Sequence, residues 1–463
     1  MTDEIRRVRL AGVAVAFLLL DLAAVSPTFG QTPAPVGPQA LANASTAGNQ
    51  DETAVAVDPN GNFLVVWRDE LLDGNLSAIV GRRFSARTGL PLSNEFLINV
   101  STSGDQRNPA IAMADDGHFA VVWEGPDSPS PPTSGIFLSL RQANGTAIVP
   151  ELQVNTDATG LQRRPAIAMQ PGGAFFVVWQ DDAPLGLRGT STGDNIRGRF
   201  FPANFPSGPA LDPVVVNLGL NGDQILPAVA AVPSSGQWFV GWQGPRQSAP
   251  VVSMILARVV AGNGTGTSEL EMNSSLSDVS RDHVSVAANA QSDAVAVWEA
   301  PDAVGRAIFA RRIVDGTPSP AEEPVNLSPL LDDREPSVAI DARGGFVTVW
   351  VSGPPIDPSL ASAPEGSPIV IQGRKKSSGS GFAESDEPLI PPLDAEFQIS
   401  ASGTNLVDPW VTAEARGNFV VAWQGVDALD PEGNGVFYRG FRDAIFADDL
   451  ESGDTARWSN TAP

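Results

Sequence analysis

Chemistry in this chain falls to its carboxylates, because little else is available to do it. The 463 residues contain no cysteine, two histidines (His118 and His283) and one tyrosine (Tyr438). Thiolate nucleophiles, disulfides and Cys-ligated metal sites are therefore excluded. Histidine-centred acid–base work or metal ligation is poorly supplied. Acids are plentiful, with 53 Asp and Glu against 29 Lys and Arg and a net charge of −24. Such a balance argues against nucleic acid or an anionic membrane surface as partner, since both need a basic face. Two sets of charged positions stand out. One follows a recurring tryptophan: Asp69, Asp73, Asp181, Asp182, Asp427 and Asp430. The other precedes a recurring proline or its substitute: Asp51-Glu52, Arg107-Asn108, Arg163-Arg164, Arg281-Asp282 and Arg334-Glu335. The first set suits an acidic rim for binding. Paired carboxylates facing an open channel would instead suit glycoside cleavage.

Both sets are placed by a repeat. GNFLVVW (61–67) returns as GHFAVVW (117–123), GAFFVVW (173–179), GQWFVGW (236–242), SDAVAVW (292–298), GGFVTVW (344–350) and GNFVVAW (417–423). The closing tryptophans are Trp67, Trp123, Trp179, Trp242, Trp298, Trp350 and Trp423, at intervals of 56, 56, 63, 56, 52 and 73. A period of this size marks a propeller, solenoid or array. Each unit reads as four short strands. The first follows Pro109, Pro165, Pro227, Pro336 or Pro409, with Thr53 and Val284 substituting. A glycine turn leads into the tryptophan strand. A third strand usually carries arginine (IVGRRF, IRGRFF, VFYRGF), and a fourth is short (EFLINV, EFQIS). Forty-five Gly and 40 Pro suit many turns, and helical periodicity is absent after the N-terminus.

Four strands repeated seven times predict an all-β fold, a seven-bladed β-propeller of four-stranded antiparallel blades. The last unit lacks a good fourth strand, whereas QALANASTAGNQ (39–50) aligns with EFLINVSTSGDQ (95–106). The ring is therefore expected to be closed by this N-terminal strand, which would leave no open sheet edge. Phe63, Val65 and Trp67 alternate with Leu64 and Val66, so both faces of the tryptophan strand are expected to be buried between blades. The seven tryptophans and Trp238 read as packing, and Trp410, beside Pro409, as a channel-lining residue. Gln50, Gln106, Gln162 and Gln224 read as ties to loop backbone.

The wider pattern, N-x-x-T-x-G-x-Q-x-x-P-x-I-A…G-x-F-x-V-x-W…E-F-x-V-N, resembles a repeat of large secreted bacterial proteins over about residues 36–442. The resemblance implies an extracellular propeller with a binding role. No G-G-x-G-x-D calcium repeat accompanies it here. The segment IFADDLESGDTARWS (445–459) resembles a C-terminal element of various exported bacterial proteins.

The expected layout is a signal peptide over 1–30, the propeller over 31–442 and a flexible tail over 443–463. Arg6, Arg7 and Arg9 precede the apolar run Leu10–Leu20, which Asp21 ends short of a bilayer span. An exported monomer is expected, with an extracellular protein or glycan as partner and no cofactor. The expected function is non-catalytic binding through the loop-bearing face, at Asp69, Asp73, Asp181, Asp182, Asp427 and Asp430 together with Arg163, Arg164, Arg281, Asp282, Arg334 and Trp410. The alternative is a polysaccharide-acting hydrolase or lyase with a carboxylate pair in the channel. A third reading is a surface protein stabilised by structural calcium.

Overall fold

The computed structural model describes residues 33–442 except 130–131, 158, 183–192, 209, 247–252, 274–281, 303–304, 315, 328–330, 355–368, 377–394, 427–428 and 431–432. The expected signal peptide and tail lie outside the described residues, as do Arg281 and Asp427. The described chain is all β, with seven antiparallel sheets and no helix.

Each sheet is one repeat. The first blade comprises Gln50–Val57, Phe63–Asp69, Ala78–Phe84 and Phe96–Leu97, hydrogen-bonded in that order. In the fifth blade two two-residue strands, Thr317–Pro318 and Glu323–Pro324, share the outer edge. The seventh is Thr404–Ala413, Phe419–Val426 and Gly435–Arg442, and Ala34–Leu41 pairs antiparallel on its outer side. Each inner strand packs against that of the next blade, and the seventh returns to the first. Seven strands converging on one axis leave little room between them. Small residues such as Ala54, Ala56, Ala110, Ala112, Ala168 and Ala230 meet that limit.

The tryptophan strands are buried on both faces. Leu64, Val65, Val66 and Trp67 have no exposed surface. All seven closing tryptophans and Trp238 are at most 1% exposed, so they fill the widening gaps between blades. Tyr438 belongs to the same packing. It stacks within an aromatic group with Phe63 and Phe84, and its hydroxyl donates to the Gly89 carbonyl.

Recurrent polar side chains join neighbouring blades. The third-strand arginine of each blade donates to a carbonyl at the outer edge of the preceding one: Arg199 to Val154 (2.7 Å), Arg258 to Val216 (2.7 Å), Arg311 to Met272 (3.0 Å). Arg82 makes the same bond to Ala42 (2.9 Å) and Arg439 to Ile399 (2.8 Å). The residue after each such carbonyl caps its own sheet: Ser400 accepts from Ile371 N–H (2.8 Å), and asparagine serves elsewhere. Asn99, Asn155, Asn217 and Asn273 accept from Ile79, Ile136, Ile196 and Ile255, and Asn43 accepts from Val436 (2.9 Å).

Candidate functional site

The chemistry-bearing ring arises from one irregularity repeated in every blade. The pairing of inner and second strands slips at the same place each time, between Asp51 and Ala54, Arg107 and Ala110, Arg163 and Ala166, Ile225 and Ala228, Asp282 and Ser285, Arg334 and Ser337, and Val407 and Trp410. Within each bulge one residue takes a left-handed backbone. These residues are Glu52, Asn108, Arg164, Leu226, His283, Glu335 and Asp408, with φ between 49° and 55°. None is glycine, and five precede proline, where this conformation is further disfavoured. The bulge turns the side chain of an inner strand toward the channel. All seven residues line one cavity of about 570 Å³ on the ring axis.

The strained backbone is held from the preceding blade. Glu335 N–H donates to Glu299 (2.7 Å), and Asp408 N–H to Glu335 (2.8 Å). Glu52 N–H donates to Gln424 Oε1, and Asn108 N–H to Glu52. Arg164 N–H reaches Glu124 at 3.4 Å. At these five boundaries the bond satisfies a donor that the bulge takes out of the ladder.

The seven ring positions carry different side chains, and the difference is ordered. The sixth, seventh and first blades contribute Glu335, Asp408 and Glu52, three adjacent carboxylates. The second to fifth contribute Asn108, Arg164, Leu226 and His283. Gln424 links two of the acids, accepting from Glu52 N–H and donating to Asp408 Oδ2 (3.0 Å). Burial pushes the Glu52 carboxyl up to about 7, against the opposing bond from Asn108. Asp408 opens onto the channel water but is ringed by protein on all sides. That desolvation, with the charge of Glu335 beside it, raises it to about 6. Glu299, behind the ring, goes the other way. Burial pushes it up, but the hydrogen bond and charge of His283 (3.2 Å), the Glu335 N–H and Arg306 outweigh that and hold it below the usual range. Trp410, two residues past Asp408, is 37% exposed and lines the same cavity.

Other sequence-derived candidates are placed elsewhere or do different work. Asp69 is buried and accepts from the N–H groups of Leu71 (3.0 Å) and Leu72 (2.9 Å). Asp73 accepts from Asn75 N–H (2.9 Å) in its own turn. Asp181 is buried against Arg197 (2.9 Å), and Asp182 accepts from Leu161 N–H. Asp430 has no exposed surface and accepts from Asn43 (3.3 Å). These side chains shape loops rather than form an open acidic rim. Arg163 pairs with Asp194 (3.1 Å) and Arg334 with Asp332 (3.1 Å), both outside the cavity lining, and Asp282 stands opposite Glu299 in the ladder. Of the charged candidates, Arg164 reaches the cavity, as does Trp410. The bulge explains the displacement: one inserted residue shifts which side chain faces the axis. Asp408 carries a usable signal, its place directly before Pro409 in an inner strand.

Among the described residues no group of three or more His, Asp or Glu is arranged to hold a metal, and no helix is long and apolar enough to cross a membrane. His118 lies on a turn in contact with Asp116 and faces a second cavity beside Phe175 and Phe205. The glutamines tie their own loops, as in Gln162 to the Thr159 carbonyl (2.8 Å) and Gln106 to Ser103 (3.2 Å).

No protein-family model matches the chain, and no curated protein matches it. Solved structures do. A protein of unknown function from Dyadobacter fermentans is 10% identical, covers 73% of this chain and 94% of its own, and superposes with a TM-score of 0.48. The GH93 α-L-arabinofuranosidase of Fusarium graminearum is 9% identical over 75% of this chain and 98% of its own, with a TM-score of 0.46. The α-L-arabinanase of Penicillium chrysogenum is 11% identical over 75% and 99%, with a TM-score of 0.45. At such identities the likeness is one of fold. The expectation of a non-catalytic module binding through its loop face is corrected nonetheless. The enzymes it is similar to differ in chemistry, a fungal alcohol oxidase in complex with copper (11% identical over 88% of this chain and 76% of its own, TM-score 0.47) standing beside the glycoside-cleaving ones, so the correction rests on this chain. Its own loop acids are committed to the fold, and carboxylates with raised proton affinity gather at the channel mouth instead.

Proposed function

We propose that the protein is an exported glycoside hydrolase whose active site is the mouth of the propeller channel. The observation that supports this most is the juxtaposition of Glu52, Asp408 and Glu335 on three successive blades, around a cavity large enough for a sugar residue, with an exposed tryptophan among them. Roles follow from proton affinity. Glu52, the more basic carboxylate, is protonated at mildly acidic pH and gives its proton to the glycosidic oxygen as the bond to the anomeric carbon breaks. Asp408, raised to about 6, takes a proton from the water that attacks the anomeric carbon. Water is thus added across the C–O bond, and proton exchange with solvent resets both groups. Glu335 holds the Asp408 backbone, and its charge helps to raise Asp408. Trp410 offers a face on which a sugar ring stacks. The bulge strain is the cost of aiming these side chains inward, as is common at functional sites.

The test is reducing-sugar release from a panel of plant and bacterial polysaccharides, arabinan among them, by wild type, Glu52→Gln and Asp408→Asn. Both variants should lose at least ~100-fold in kcat, the ordinary size of an acid–base contribution, with melting temperature not lowered. Full activity in either variant would remove the assignment. Isotope-labelled water should appear in the new hemiacetal.

A further inference from the structure

Within that active-site reading, we infer that Arg164 is a specificity residue for a substrate carboxylate, and that the glycan cleaved contains uronic acid. Most arginines around this end of the ring are ion-paired. Arg68 pairs with Asp51 (3.0 Å) and Asp105 (3.3 Å), Arg163 with Asp194 (3.1 Å) and Arg334 with Asp332 (3.1 Å). Arg107 pairs with Asp105, and Arg306 with Glu299. Among the described residues Arg164 has no ion pair, although the chain carries an excess of acids. Glu124, at the same blade boundary, directs Oε2 to the Arg164 backbone N–H and to the Asn108 amide (2.9 Å). The Arg164 side chain is exposed, yet it lines the channel cavity rather than the outer surface.

Its position on the ring gives the cation a direction. The third blade lies across the mouth from Glu335 and Asp408, which belong to the sixth and seventh. Its charge is felt at Asp408, where it opposes the rise in proton affinity. A neutral sugar entering this cavity would leave a guanidinium with no fixed partner in a partly desolvated site. A uronate would satisfy it with two parallel charge-assisted bonds, which suits the planar fork of arginine. Asp408 and Glu335 repel the same anionic group, so one orientation is selected: substrate carboxylate toward blade three, scissile bond toward blades seven and one. Attraction on one wall and repulsion on the other fix binding polarity, as in other sites that discriminate by charge.

The experiment uses the full chain carrying Glu52→Gln, so that substrate persists, and follows tryptophan fluorescence and calorimetric binding. The ligands are trigalacturonate, triglucuronate, their methyl esters, which keep the shape and lose the charge, and neutral arabinotriose. At least one uronate should bind, its ester should bind roughly 10- to 100-fold more weakly, and adding Arg164→Ala should abolish that difference. Arg164→Lys should restore part of it, since it keeps the charge but not the fork. Equal affinity for acid and ester, or an undiminished preference in the Arg164→Ala background, would overturn the inference. So would binding of arabinotriose alone, a result that leaves the hydrolase reading intact. Conversely, tight Arg164-dependent uronate binding with no cleavage by wild type would retain Arg164 as the recognition residue and remove the hydrolase reading.

Discussion

Glu52 and Asp408 matter because each is a carboxylate placed where its charge is poorly solvated. If Glu52 must carry a proton and Asp408 must not, kcat/KM should fall below pH ~6 as Asp408 becomes protonated, and above pH ~7 as Glu52 ionises. A pH–rate profile should therefore be a narrow bell, and Asp408→Asn should leave no acidic limb to titrate. A third buried carboxyl, Asp333, supplies a prediction about stability. It occupies the slot filled by glutamine in Gln50, Gln106, Gln162 and Gln224, is 1% exposed, and burial raises it to about 7 from an ordinary 3.8. Its folded form binds the proton more tightly than its unfolded form does. Stability is therefore greatest below the ordinary carboxylate range and declines as pH rises toward 7. Asp333→Asn removes this penalty while keeping a polar amide. Thermal unfolding should show stabilisation of roughly 2–4 kcal/mol at pH 8 and little at pH 4. Equal effects at both pH values would show that the charge is not the cause.

At the scale of the strand, one bulge per blade does two jobs. It selects which residue points down the channel, and at five boundaries it frees a backbone N–H that the preceding blade captures. The arginines of the third strands are a second device of this kind. Arg258 is 6% exposed and donates to the Val216 carbonyl of the preceding blade and, through Nε, to Thr267 (2.7 Å). Arg258→Ala should cost about 2–3 kcal/mol in chemical denaturation, because it leaves buried carbonyls unpaired as well as removing bonds. Acidic residues at the start of the outer strands are a third device. Glu151 accepts from Val100 N–H (2.6 Å) and Ser101 N–H (3.0 Å), and Glu269 from Gly219 N–H (3.1 Å). The recurrent E-F of the repeat thus reaches the loop of the blade before it. Arginine and glutamate that look available for chemistry in the repeat are spent on joining blades.

At the scale of the molecule, the first described strand lies on the last blade. Ala34 stands opposite Arg442 and Leu41 opposite Phe437, and Asn43 and the Ala42 carbonyl make bonds that later blades make with their own residues. Deleting residues 31–46 should lower the melting temperature strongly and break the single unfolding transition, since the seventh blade would lose its outer strand and the first its arginine partner. A transition that stays cooperative at nearly the same temperature would mean that this strand is dispensable. The blade count, the four-stranded unit and the burial of Trp67 and its six counterparts were legible in the residues, because period and two-sided apolarity are local consequences of how a sandwiched strand must pack. The variable residue pairs were legible as places where the seven copies diverge. Which member of each pair faces the axis was not legible. A bulge reverses side-chain parity without changing composition, so Arg163 and Arg334 go to neighbouring aspartates while Arg164 and Glu335 enter the cavity. The sequence by itself determined the architecture, since repetition forces equivalent surroundings on equivalent residues. Only the tertiary structure decided which carboxylates hold protons tightly, because the proton affinity of Glu52 and Asp408 depends first on burial and, at Asp408, on the charge of Glu335 brought from the neighbouring blade.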